Sequence, residues 1–334
     1  MMLRLPMAAV LAGMLLVGAA SWRMAAAEPD RPLVLERTIR LRDIGGRIGH
    51  IAVDVARKRL FVAELGNDTV AVVDLERGRV THRIDGMRAP QGIAYTPRAD
   101  VLAITNGGDG SVRLFHGADL TSMATVALEN NADAIRVDPG SGRLIVGYGR
   151  GGLAVIDPSK GTLVSTIKLP AHPEGFQIDP GTGRLFANLP DRREIAIVDL
   201  AAGKQVGSWP VKAQANFAMA IDPAGSRLII TSRRPARFVV LDAKTGASLV
   251  SQQTCRDSDD VSFDAKRQLA YVSCGDGRLD VFAMSNGYPR LTQLTTRADA
   301  RTSLFVPELD RLFVGARAAL LGTNAAVLVF RPGS

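Results

Sequence analysis

The side chains best equipped for chemistry recur at one point of a repeating unit: Gln91, Asp133, Glu174, Asp259 and Arg301, in series with Gly49 and Phe217. His50, His172, Asn216, Asp257 and Asp260 stand beside them, and Arg233, Arg234 and Arg237 follow the second apolar run of the fifth unit. Carboxylates such as Asp133, Glu174 and Asp259 suit a cation or hydroxyl groups, while Arg301 and Arg234 suit a carboxylate or phosphate. His172 next to Glu174 has the makings of a general base. His172, Glu174 and Asp133 are also the combination with metal-ligating side chains, but their spacing matches no zinc motif, so no metal and no other cofactor is expected. His82 and His116 fall in outer-run and hairpin positions and read as surface. The plain alternative for the whole set is a polar, water-filled channel whose carboxylates only bond backbone N–H groups.

Other chemistries leave no trace. There is no serine nucleophile elbow, phosphate loop, dinucleotide fingerprint or haem-attachment CxxCH, and no catalytic residue is assigned. The glycine-rich string Gly147–Gly152 lies between two apolar runs and reads as a hairpin. Cys255 and Cys274 belong to one repeat unit; in an exported chain two cysteines so placed predict a disulfide.

The elements that position these residues are set by internal repetition. Leu60, Leu102, Leu144, Leu185, Leu228, Leu269 and Leu312 recur at intervals of 41–43 residues, and Asp54, Thr96, Asp138, Asp179, Asp222, Asp264 and Val306 keep the same register. Each unit holds four short runs rich in Val, Ile and Leu, in the first unit 51–53, 60–63, 69–74 and 79–84, separated by Gly, Asp, Asn and Pro; such runs are strands. Asp-x-x-x-Gly recurs between runs three and four, at Asp74, Asp157, Asp199 and Asp242, as hairpin-turn chemistry. Four strands per unit and seven units predict an all-β, seven-bladed β-propeller with four-stranded blades. The seventh unit lacks its fourth run, whereas 33–41 precedes the first unit unattached. That N-terminal strand is predicted to close the last blade and remove an exposed edge.

Over roughly residues 33–332 the chain resembles the YVTN-type, YncE-like seven-bladed propellers, an exported bacterial family. The resemblance is carried by Leu60-Phe61-Val62-Ala63 with 69–74, and by loop motifs at Pro90-Gln91-Gly92, Asp133 with 135–138, 172–177, Ala215-Asn216-Phe217, 257–260 and 300–303. It implies the fold and export, and neither an agreed substrate nor catalytic residues.

Residues 1–27 have the layout of a secretory signal: Arg4, an apolar stretch from Pro6 to Ala20, then Ala25-Ala26-Ala27. Cleavage there would remove Arg4 and Arg23, lowering the formal charge from +8 to +6 (8 − 2), and leave 28–334 as one propeller domain in the periplasm with no membrane span. The remaining charge is spread over the turns after run one, such as Arg57-Lys58-Arg59, predicting a basic underside. Nucleic acid is not expected, because stacking aromatics are sparse at 5% of the chain. The expected function is a monomeric binding or interaction module, with Gln91, Asp133, His172, Glu174, Asn216, Asp259, Arg301 and Arg234 facing a small-molecule ligand or periplasmic protein at the channel mouth. The alternative is a lactonase-like hydrolase or redox protein using His172 and Glu174; a purely structural envelope partner is a third reading.

Overall fold

A computed structural model describes residues 32–319 and 323–333. The chain forms seven four-stranded antiparallel sheets, a seven-bladed β-propeller. Blade one runs outward from the axis as Ile51–Asp54, Arg59–Glu64, Thr69–Asp74 and Arg79–Ile84. The later blades repeat this order. The inner strands of blades three and four, Ile135–Val137 and Phe176–Ile178, are short, because loops carrying Asp133 and Glu174 lead into them. Blade seven closes as the sequence predicts: Leu33–Leu41 pairs antiparallel with Ala325–Pro332, from Leu33 opposite Pro332 to Leu41 opposite Ala325. Among the described residues no helix is long and apolar enough to cross a membrane. The signal segment 1–27 lies outside the described residues.

Burial follows strand position within a blade. Every residue of Val101–Asn106, a second strand, is buried, whereas Thr162–Lys168, an outer strand, is buried only at Ile167. Inner and middle strands are covered on both faces by neighbouring blades, which is why their runs lack polar alternation. Phe238 of blade five stacks on Phe282 of blade six with ring centroids 4.1 Å apart, one of the contacts that lock sheet against sheet.

Blades are also stitched by polar side chains that reach the next blade's backbone. Thr105 Oγ1 donates to the Asp133 carbonyl at 2.5 Å, Asn188 Nδ2 to the Phe217 carbonyl at 3.0 Å and Ser273 Oγ to the Arg301 carbonyl at 2.8 Å. The approach is so close at Gly92 that a Cβ would stand 2.4 Å from the Asp133 carbonyl oxygen. The Asp-x-x-x-Gly turns behave as their sequence implies: Asp74 Oδ1 accepts the Arg77 N–H at 2.8 Å, and Gly78 takes a φ of 64°.

The underside is less basic than the arginine count suggests. Arg57 reaches Asp54 at 3.0 Å and Asp100 of the next blade at 2.8 Å, and Arg267 likewise joins Asp264 at 3.0 Å to Asp310 at 2.7 Å. These arginines serve as bridges between blades and are neutralised by them.

Candidate functional site

The polar ring is built where loops enter the inner strands. Each loop is pinned before its strand begins: the Asp133 N–H donates to Gly147 O at 2.9 Å, the Glu174 N–H to Asn188 O at 3.0 Å and the His50 N–H to Gln91 O at 2.8 Å. Pinned backbone fixes where each side chain starts, so residues a full repeat apart meet around the axis.

On the side of blades five to seven the charges are matched. Arg301 Nη1 donates to Asp257 at 2.6 Å, and its Nε lies 3.4 Å from Asp259 and 3.5 Å from Asp299. Arg233 donates to Asp259 at 2.6 Å and to the Ser258 carbonyl at 2.9 Å, with its guanidinium 3.8 Å from the centre of the Phe217 ring. Arg317 approaches Asp299 at 3.3 Å. The expectation that Arg301 and Arg234 clamp an anion is therefore corrected. Arg301 already faces three carboxylates that would repel one. Arg234 is exposed at the end of its strand, Arg227–Arg234, and makes no ion pair among the described residues. Asn216 also departs from its expected role. It is buried, and its Nδ2 donates to Asn188 Oδ1 at 2.9 Å and Glu194 O at 3.2 Å, joining blade five to blade four.

Deeper in the channel, His50 of blade one meets Asp260 of blade six at 3.3 Å, and Asp260 accepts the Ser303 N–H at 2.8 Å. Burial works against a charged His50 ring, but Asp260, helped by Asp259 and Asp133, outweighs it and lifts His50 to about 9. Arg136 was not among the expected site residues, yet its side chain lines the central channel near this pair. Burial lowers its pKa against the opposing pull of Asp260 and Asp133. Its signal was legible in the repeat: corresponding positions in three other blades hold Ala52, Ala94 and Ala220, so a lone arginine there must fill channel space. This layer borders a channel cavity of about 430 Å³ lined by His50, Arg136 and Asp260 together with inner strands of all seven blades, and Asp133, His172, Glu174, Asp259 and Arg301 lie outside its lining.

On the side of blades two to four the ring is unmatched. Gln91 Nε2 donates to Asn131 Oδ1 at 3.3 Å, and Asn131 Nδ2 lies 3.3 Å from His172 Nε2. His172 Nδ1 lies 2.7 Å from the Gly149 carbonyl, so Nδ1 carries the hydrogen and Nε2 turns towards Asp133 at 3.9 Å. Burial and then the Asp133 charge push Glu174 up to about 7, only partly opposed by His172. Burial lowers the His172 pKa, but Asp133 and the Gly149 carbonyl outweigh it and the net shift is upward. Ligand atoms of Asp133, His172 and Glu174 lie within 4.8 Å of one another, a cluster able to hold a metal ion. Cys255 and Cys274 form the expected disulfide, with Cα atoms 5.9 Å apart and both residues buried, so neither is a thiolate ligand beside Asp276.

No family model matches the sequence, and no curated protein matches it either, so the YVTN-type resemblance extends no further here than the blade architecture. Among solved structures the chain is similar to Kuenenia stuttgartiensis hydrazine synthase, with a TM-score of 0.75, 16% identity, and coverage of 86% of this chain and 96% of that one. At that identity the likeness concerns the fold alone: the chain is a seven-bladed β-propeller, an architecture that hosts many unrelated functions.

Proposed function

We propose that this propeller is a binding module whose channel-mouth face recognises a ligand or partner through a positively charged group. One observation carries this reading: the mouth's arginines pair directly with Asp257, Asp259 and Asp299, while among the described residues the only ion-pair contact of Asp133 is His172 at 3.9 Å and Glu174 has none. A ligand cation placed between them would relieve the repulsion that raises Glu174, and Gln91 would border it through Asn131. The reading keeps the expectation of an exported, monomeric YVTN-type protein acting in the periplasm, supported by the buried disulfide.

Thermal denaturation with small probes tests it. Agmatine or choline should raise Tm by a few degrees at saturation, because a ligand that binds only the folded state stabilises it by mass action. Citrate should leave Tm unchanged. Stabilisation by citrate and none by the cations would overturn the reading. A hydrolytic reading has one observation in its favour, Glu174 poised near neutrality beside His172; turnover of a lactone that Glu174→Gln abolishes would establish it.

A further inference from the structure

We infer that Asp133, His172 Nε2 and Glu174 form a binding site for a divalent first-row transition cation, open on the solvent side of the channel mouth. The inference deepens the cation reading above and rests on it. Two loops supply the ligands, Asp133 ahead of blade three and His172 with Glu174 ahead of blade four, and both loops are pinned by backbone hydrogen bonds before the ligands project.

Two independent features separate this trio from a chance gathering of polar groups. The first is the imidazole: its Nδ1–H is held by the Gly149 carbonyl at 2.7 Å, which fixes the ring and turns Nε2 to the side of the carboxylates, where an entering cation has only the Asn131 amide at 3.3 Å to displace from it. A backbone carbonyl behind the non-ligating nitrogen is the usual outer support of a metal-bound histidine. The second is the state of the carboxylates. Elsewhere at the mouth each carboxylate has an arginine or histidine within 3.5 Å, whereas Asp133 has only His172 at 3.9 Å, and among the described residues neither Asp133 nor Glu174 accepts a side-chain hydrogen bond. Two half-buried carboxylates and one imidazole, which gives up its Nε2 proton when a metal binds, are a complete three-ligand set, leaving further coordination positions for water or an incoming ligand. One nitrogen and two oxygens favour zinc or manganese over magnesium, which prefers oxygen ligands alone and dehydrates reluctantly.

The test is calorimetric titration of chelator-treated protein with zinc chloride, alongside its melting curve. We expect one zinc per chain, a weaker manganese site and no magnesium binding. Glu174→Gln and Asp133→Asn should each weaken zinc by about 10–100-fold while melting, metal-free, no lower than wild type, because each removes one charge of a repelling pair. Asp276→Asn, beside the disulfide, should bind zinc as the wild type does. No zinc binding by the wild type, or equal affinity in Glu174→Gln, overturns the inference. If zinc fails to bind but agmatine still raises Tm in the wild type and not in Glu174→Gln, the metal falls and the cation reading survives; if agmatine also fails, both fall together.

Discussion

Two halves of one ring occupy equivalent positions in the repeat and differ in how many partners their carboxylates have found. On the side of blades five to seven, Arg233 and Arg301 sit among Asp257, Asp259 and Asp299 and leave no carboxylate unpaired. On the side of blades three and four, Asp133 and Glu174 have one histidine as their ion-pair contact, and Glu174 rises to about 7; burial also raises Asp259 in the other half, but there Arg233 and Arg301 stand against it. Paired charges hold loops in place, whereas charges left without partners store unfavourable energy that a bound group can release. The matched half is therefore read as scaffold and the unmatched half as the receptive surface.

The comparison breaks most readily at the disulfide, which anchors the loop carrying Asp257 and Asp259. Replacing both Cys255 and Cys274 with Ala should lower unfolding free energy by about 3 kcal/mol on the chain-entropy estimate, read as a lower urea midpoint. An unchanged midpoint would mean that the matched half does not depend on it. Asp259→Ala should cost about 2 kcal/mol, since it strips a shared partner from Arg233 and Arg301; the figure is below that for a fully buried pair because the side chain keeps 17% exposure. The equivalent change in the other half should go the opposite way: Glu174→Gln should gain about 1 kcal/mol at neutral pH, because the amide is still desolvated but no longer repels Asp133. Destabilisation by Glu174→Gln comparable to that of Asp259→Ala would erase the distinction between the halves.

The probe that resolves the halves most finely is pH. Glu174 is raised from 4.5 to about 7, so its ionisation penalises the fold and stability falls as pH rises between those values. His172 is also raised and acts in the same direction. His50 is raised from 6.5 to about 9; its contribution is complete below 6.5 and is lost as pH climbs through 9. Tm should accordingly decline in two limbs. Glu174→Gln should flatten the limb below neutrality and leave the alkaline one, and His50→Gln should do the reverse.

Parts of the site were legible before any coordinates. Counting repeats put Gln91, Asp133, Glu174, Asp259 and Arg301 at one level, and the structure places each of them within two residues of the start of an inner strand. Arg136 shows what such counting can add, and Asn216 shows where it stops. Asn216 sits one residue before a ring position and turns into the seam between blades, towards Asn188. Arg136 stands where other blades keep alanine and reaches into the channel. For Asn216 the deciding factor is side-chain direction at a blade junction, where an irregular stretch of inner strand does not follow simple alternation: the pairing of Gln214–Ile221 slips between Asn216 and Met219.

The sequence by itself determined the number of blades, the strand that closes the ring, the turn chemistry and the cysteine pairing. These follow from rules that act within one repeat or between its copies: the recurrence of short β-branched runs between turn residues, the φ freedom of glycine and the need to cover a sheet edge. Only the tertiary structure decided which charges found partners. Arg301 meets Asp257 across 44 residues of sequence and Arg233 meets Asp259 across 26, while Asp133 and Glu174 are left facing each other. Coulomb energy depends on ångström-scale separation and local solvation, and neither is written in the spacing of residues along the chain.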